Sequence, residues 1–246
     1  MRKFPLSLLI IAAVGLTSCQ TGDSSKDPHP DHQVVVRPEH LPPSPGQQLR
    51  REEVLAKLKE GNNRFIEGLS SGRAATDTSY NYLEQIKHTA TQQHPIACVL
   101  TCMDSRVSPE IIFHQGIGSL FVIRVAGNIE DPDVLGSMEY AVVEKGVGLI
   151  VVMGHRNCGA IGAAFGNVDP ENKDLNLLVS HVKSDIVPND TPPYDASAKH
   201  NVKKTIEGIL RDSKPLHDKV STGKLVIVGA LYDVSNGTIN WNTDNW

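Results

Sequence analysis

The stretch Ile96-Ala-Cys-Val-Leu-Thr-Cys-Met-Asp-Ser-Arg106 decides how this chain is read. From Ile96 to Thr101 it runs apolar without alternation, which fits a strand buried on both faces, as in a parallel sheet covered by helices. Where the run stops, Cys102 and the charged pair Asp104 and Arg106 begin. Leu149 to Met153 repeats the pattern: an apolar run, then Gly154, His155-Arg156-Asn157-Cys158 and Gly159. Leu120 to Val125 and Leu225 to Leu231 supply two more runs of the same kind.

Helical periodicity fills the gaps between these runs. Leu49 to Gly68 predicts an amphipathic helix with Leu55, Leu58, Phe65 and Ile66 on one face. Tyr80 to Gln92 predicts a second, with Leu83 and Ile86 inward, ended by Pro95. Pro132 opens and Gly146 closes a stretch from Val134 to Glu144 that carries Leu135, Met138, Ala141 and Val142. Gly159 to Phe165, Leu175 to Val187 and Ala196 to Leu210 read as further helices. Asn236-Gly237 marks a turn before a short terminal strand at Thr238 to Trp241. The expected class is α/β: a mostly parallel central sheet of about four to five strands flanked by helices.

In open parallel sheets, ligands bind beyond the carboxyl ends of the strands. Cys102, His155 and Cys158 all begin where an apolar run ends, so the topology can bring them to one edge. Two thiols and an imidazole suit a borderline-soft metal ion, and His-x-x-Cys lets one tight loop offer two ligands. Three protein ligands leave a fourth position for water or substrate, which separates catalytic from structural zinc. Gly154 and Gly159 flank the loop and would permit its sharp path.

The chain has 246 residues, a formal net charge of -4 and four cysteines. No Lys/Arg-rich block is present, so nothing points to nucleic acid or to electrostatic membrane attachment. Arg2 and Lys3 precede an apolar segment from Phe4 to Val14 that is short for a membrane span and fits a signal peptide. Leu16-Thr17-Ser18-Cys19 resembles the lipobox of bacterial lipoproteins, which makes Cys19 the expected lipid attachment site, residues 1–19 the leader and the lipid the sole membrane contact. In a two-membrane cell, Gln20 after it favours the periplasmic side of the outer membrane. Residues 20–48 hold prolines at 28, 30, 38, 42, 43 and 45 and no aromatic residue, so they read as an extended tether in which His29, Asp31 and His32 are solvated. The remaining residues, 49–246, suffice for one domain. Cys98 and Cys102 lie four apart on one strand, roughly 13 Å at strand rise and beyond disulfide reach, so Cys98 is expected to be a buried core thiol.

Cys-x-Asp-Ser-Arg followed by Gly-His-x-x-Cys-Gly is similar to the signature of the β-class carbonic anhydrases. The likeness runs from about Leu55 to Trp241 and includes Arg124-Val-Ala-Gly-Asn128 and Glu139-Tyr140-Ala141. It implies one Zn2+ per subunit on Cys102, His155 and Cys158, and reversible hydration of CO2 to bicarbonate by a zinc-activated water. It further implies that Asp104 orients that water and that Arg106 holds Asp104, which would otherwise become a fourth ligand in an inactive state. By position, Gln93 matches a substrate-binding glutamine, Phe121 and Tyr140 match walls of the CO2 pocket, and the Gly159 N–H faces bicarbonate. Members are dimers or multiples of dimers with pockets at the subunit interface, and the Leu49 to Gly68 helix is expected to embrace a neighbour.

The chain departs from the family at three places. Members switched by bicarbonate at a second site carry Trp and Gly where Val99 and Thr101 stand here, so that switch is not expected. Glu144 occupies the place of a suggested proton-shuttling histidine. Two alternatives stand beside CO2 hydration: hydrolysis of COS or CS2 on the same scaffold, and a non-catalytic lipoprotein with structural zinc.

Overall fold

A computed structural model describes residues 49–71 and 81–241. The leader, the lipobox with Cys19 and the tether to residue 48 lie outside these residues.

Five strands form one sheet: β1 (Ala97–Thr101), β2 (Leu120–Arg124), β3 (Leu149–His155), β4 (Val226–Tyr232) and β5 (Ile239–Asn240), in the order β2-β1-β3-β4-β5. β1 to β4 run parallel and β5 pairs antiparallel with β4. Every residue of β1 and β3 is buried, and the reason is that the sheet is covered on both sides. Side chains alternate between faces along a strand. Val99, Val151 and Met153 therefore meet one layer, with Val54 and Leu58 of α1 (Arg51–Ser70) and Ile112 of α3 (Pro109–Ile112). Cys98, Leu100, Ile150 and Val152 meet the other, built on Met138 of α4 (Pro132–Glu139), Val202 and Ile209 of α7 (Asp195–Asp212) and Leu216 of α8 (Lys214–Ser221). Cys98 is the fully buried core thiol its place in β1 predicts, and burial pushes it up to about 12.

The remaining helices are α2 (Tyr82–Thr89), α5 (Gly159–Ala164) and α6 (Lys173–Lys183). α2 turns over the sequence expectation. Leu83 and Ile86 are 60% and 53% exposed, while Gln85 between them is buried. Gln85 Oε1 accepts the Ile117 N–H at 2.9 Å, a backbone donor that an apolar residue would leave unpaired. Two helices escaped the sequence reading. α3 spans only four residues, too few for a periodic signal, and α8 carries Pro215, which reads as a breaker. Pro215 instead sits in the first turn behind the cap Ser213, whose Oγ accepts the Leu216 N–H at 3.3 Å. Helix α4 runs on as a π-helical turn over Tyr140–Glu144. Among the described residues, no helix is long and apolar enough to cross a membrane.

From β1 the chain goes to β2 on one side and then to β3 on the other. Connections therefore leave in opposite directions between β1 and β3, and a crevice opens at the carboxyl ends of these two strands. Cys102 follows β1 directly and His155 ends β3.

Candidate metal centre

Cys102, His155 and Cys158 converge in that crevice, each buried, with their donor atoms within 4.8 Å of one another. Cys158 caps the N-terminus of α5. The two sulfurs stand 4.0 Å apart, close to the roughly 3.8 Å that two ~2.3 Å Zn–S bonds subtend in a tetrahedral site. His155 Nδ1 lies 2.9 Å from the carbonyl oxygen of Arg156. A carbonyl only accepts, so Nδ1 carries the proton and Nε2 keeps its lone pair. Nε2 is buried and without a hydrogen-bond partner. A buried orphan acceptor among two sulfurs is costly unless it has a ligand, so the donor set fits zinc.

In the metal-free pair, the two thiols shift in opposite directions. Hydrogen bonding from the Cys158 thiol, and less so from the Gly127 N–H, pulls Cys102 down against the opposing effect of burial. Cys158 is pushed up, because its proton serves Cys102 and because it is buried.

The Cys102-Met103-Asp104 turn is held from β2. Arg124 Nη2 donates to the carbonyls of Asp104 at 2.7 Å and Met103 at 3.2 Å, and Nε reaches that of Cys102 at 3.4 Å. Gly127, at φ +72 in the short helical turn 126–128, points its N–H at Cys102 Sγ, 3.4 Å away. Its carbonyl accepts from Asn201 Nδ2 of α7 at 2.8 Å. A side chain at 127 would meet Val182 Cγ2 at 2.8 Å, so the position requires glycine for both backbone and space.

Arg106 grips Asp104 bidentately, Nε to Oδ1 at 2.9 Å and Nη2 to Oδ2 at 2.7 Å, while its backbone N–H also donates to Oδ1. The guanidinium hydrogen bonds hold this carboxyl well below the usual carboxylate range. Arg106 Nη2 reaches the Asn157 carbonyl as well, at 3.3 Å, so one side chain joins both ligand loops.

The structure brings five of the sequence-singled residues together: Cys102, Asp104, Arg106, His155 and Cys158. Gly159 is adjacent, as the first residue of α5 with open space beside its Cα. Phe121 and Tyr140 meet edge to face, centroids 6.2 Å apart, in a cavity of about 590 Å³ along β2 and α4 whose lining contains no metal-site residue. Gln93 precedes β1 and lines a separate cavity at the opposite sheet edge. The strand alone puts about 13 Å between that edge and the crevice. The left-handed step of the His-x-x-Cys loop falls on Asn157, φ +56, and not on a flanking glycine. Gly154 serves α7 instead, since a Cβ there would meet Val202 Cγ2 at 2.7 Å. Sequence reasoning missed the loop-holding roles of Arg124, Gly127 and Arg156, though the first two lie in the Arg124–Asn128 segment it quoted.

A switch-point crevice with three soft donors, an open fourth position and a carboxylate held beside it defines an α/β metalloprotein of the open-site kind. The carbonic anhydrase family profile matches residues 97–239. Carbonic anhydrase 2 of Mycobacterium tuberculosis is 35% identical over 191 residues, covering 73% of this chain and 87% of the relative. A carbonic anhydrase of Pseudomonas aeruginosa is 36% identical over 174 residues, with 63% and 76% covered. Among solved structures, a tetrameric β-carbonic anhydrase of Sordaria macrospora superposes with TM-score 0.59 at 25% identity over 72% of this chain and 96% of its own. The Coccomyxa β-carbonic anhydrase, solved with acetazolamide, gives 0.58 at 26% over 76% and 86%. The chain belongs to the β-class carbonic anhydrase family.

Proposed function

We propose that this chain interconverts CO2 and bicarbonate at one zinc ion per subunit held by Cys102, His155 and Cys158. The observation that carries the reading is the convergence of these three buried donors beside a carboxylate that Arg106 grips bidentately. When bound, zinc supplies a water acidified toward neutral pH as the nucleophile. Asp104, kept ionised by Arg106, would accept a hydrogen bond from that water and so help to orient it. Arg106 excludes Asp104 from the metal. Arg124 and Gly127 hold the Cys102 turn so that both residues keep these positions.

The active form is a homodimer or a dimer of dimers. Among the described residues β2 is an edge strand of the sheet, its apolar residues only half-buried beside the open cavity that Phe121 and Tyr140 line. Gln93 lies at the edge away from its own crevice, so a role in substrate binding requires a second copy. Outside the described residues, Cys19 carries lipid and tethers the domain, through residues 20–48, to the outer face of a cytoplasmic membrane or the periplasmic face of an outer one. Cys19→Ser should leave the membrane fraction after cell lysis.

Stopped-flow CO2 hydration by the full-length protein in detergent, before and after chelator treatment, tests the activity. Rate lost with zinc and restored with it supports the reading. A zinc-loaded, folded protein that leaves CO2 untouched overturns it.

A further inference from the structure

Arg156 is one of the two unassigned letters of the His-x-x-Cys loop, yet its backbone and side chain bond to four different parts of the fold. Its N–H donates to the Tyr232 carbonyl at the end of β4, 2.9 Å away. Its carbonyl accepts the Nδ1 proton of His155. Of its side-chain donors, Nε reaches Asp195 Oδ1, in the first turn of α7, at 2.8 Å, and Nη1 reaches Asp233 Oδ2, just past β4, at 2.7 Å. Asp233 is itself fixed, because its Oδ1 accepts from Ser235 N at 2.8 Å and Ser235 Oγ at 2.6 Å.

We propose that Arg156 is a positioning residue for the metal: its fork, closed on Asp195 and Asp233, aims the carbonyl that orients the His155 ring and so sets how tightly zinc is held. The carbonyl belongs to the peptide between Arg156 and Asn157, and Asn157 is in the left-handed region at φ +56, which a non-glycine residue adopts only when its surroundings hold it there. Two restraints from the backbone act on this segment: the Arg156 N–H to Tyr232 and the Asn157 N–H to Pro193 at 2.9 Å. The Asn157 N–H lies in the same planar peptide as that carbonyl, so its bond to Pro193 sets the plane at the Asn157 end. The planar fork holds the Arg156 end, because two charge-assisted bonds to carboxylates on separate elements define a direction as well as a distance. With the side chain 33% exposed, the ion pairs add little net stability. Their effect falls on orientation, and outer partners of a ligating histidine typically change metal affinity by 10- to 100-fold.

This inference rests on the zinc reading above, and the experiment separates the two. Full-length wild type, Arg156→Ala, Arg156→Lys and Asp233→Asn are titrated with zinc against a chromophoric chelator, with thermal midpoints recorded alongside. Wild type should take up one zinc. Arg156→Ala should bind it about 10- to 100-fold more weakly, and Arg156→Lys and Asp233→Asn should fall between, since a single ammonium cannot hold two carboxylates in one plane. A residue that only glues α7 to β4 would lower the midpoint of Arg156→Ala and leave its zinc affinity at the wild-type value; that result overturns the proposal. Should Arg156→Ala fail to fold, Asp233→Asn with unchanged zinc affinity overturns it equally. A wild type that takes up no zinc overturns the zinc reading and this inference together.

Discussion

Arg106 holds Asp104 with two parallel bonds and leaves Asp104 Oδ2 only 3.9 Å from Nε2 of His155. The carboxylate is thus restrained next to the position where a metal would lie, and a small rotation of its side chain would make it a ligand. The restraint on that rotation is the bidentate grip of Arg106.

Arg106→Ala should therefore close the site. Asp104 loses its partner, displaces the water from the fourth position, and hydration slows by roughly 100-fold or more, the scale of a misplaced reacting group. Cobalt substituted for zinc reports the change directly. A variant whose cobalt spectrum matches that of the wild type contradicts the gate.

Gly61 makes a second case in which geometry reverses an ordinary expectation. In a helix interior, alanine is favoured over glycine by up to about 1 kcal/mol. A Cβ at 61 would stand 1.8 Å from the carbonyl oxygen of Phe113, a backbone atom that cannot step aside. Next to it, Asn62 Nδ2 donates to the carbonyls of Ile112 and Gly237 at 3.2 and 2.9 Å, which ties α1 to the end of α3 and to the turn before β5. Gly61→Ala should lose roughly 1–3 kcal/mol in urea unfolding, the range of overpacked cores.

These cases show which parts of the molecule the sequence expresses. The buried strands are legible because both faces need apolar residues, so β1 and β3 appear as unbroken runs whose ends mark the site. The donor set is legible because the chemistry restricts residue types: few patterns other than a metal site put Cys102, His155 and Cys158 after two such strands. α2 is not legible, because its inward residue answers one unpaired N–H at Ile117 and no periodicity encodes that. Nor is the role of Arg156, whose partners lie 39 and 77 residues away. Long-range polar contacts leave no spacing to read.

Two acidic residues should give opposite pH dependences of stability. Burial pushes the Asp233 carboxyl up, but Ser235 and Arg156 more than offset it and the net shift is downward. The stabilisation it supplies is present above the unfolded-state value, about 3.9, and is lost as pH falls through the lower folded value. Burial pushes Glu130 up with little compensation from Arg211, 3.8 Å away. The folded state then retains a proton that the unfolded chain releases near 4.3, so stability drops as pH rises through that window. Urea midpoints of Asp233→Asn should fall less steeply than wild type below about pH 4. Those of Glu130→Gln should exceed wild type at neutral pH, and equal midpoints there would contradict the assignment.

Metal removal should expose the thiols to a specific chemical loss. Zinc occupies the lone pairs of both sulfurs and keeps them from oxidants. Without it, hydrogen bonding from the Cys158 thiol pulls the Cys102 thiol down, and the two sulfurs stand 4.0 Å apart. A low-pKa thiolate beside a second thiol is the arrangement that oxidises to a disulfide, with dioxygen taking the two electrons and two protons. Closing the bond to about 2.05 Å pulls both ligands off the metal position, so zinc alone cannot re-enter. Cys98 is outside this chemistry: it is fully buried and pushed up to about 12. Chelator-stripped protein held in air should therefore lose two titratable thiols and stay inactive on adding zinc, then regain both thiols and activity when dithiothreitol precedes the metal. Cys98→Ser should follow the same course as wild type. Full recovery with zinc after prolonged aerobic storage, and without reductant, would show that the crevice keeps its sulfurs apart by means other than the metal.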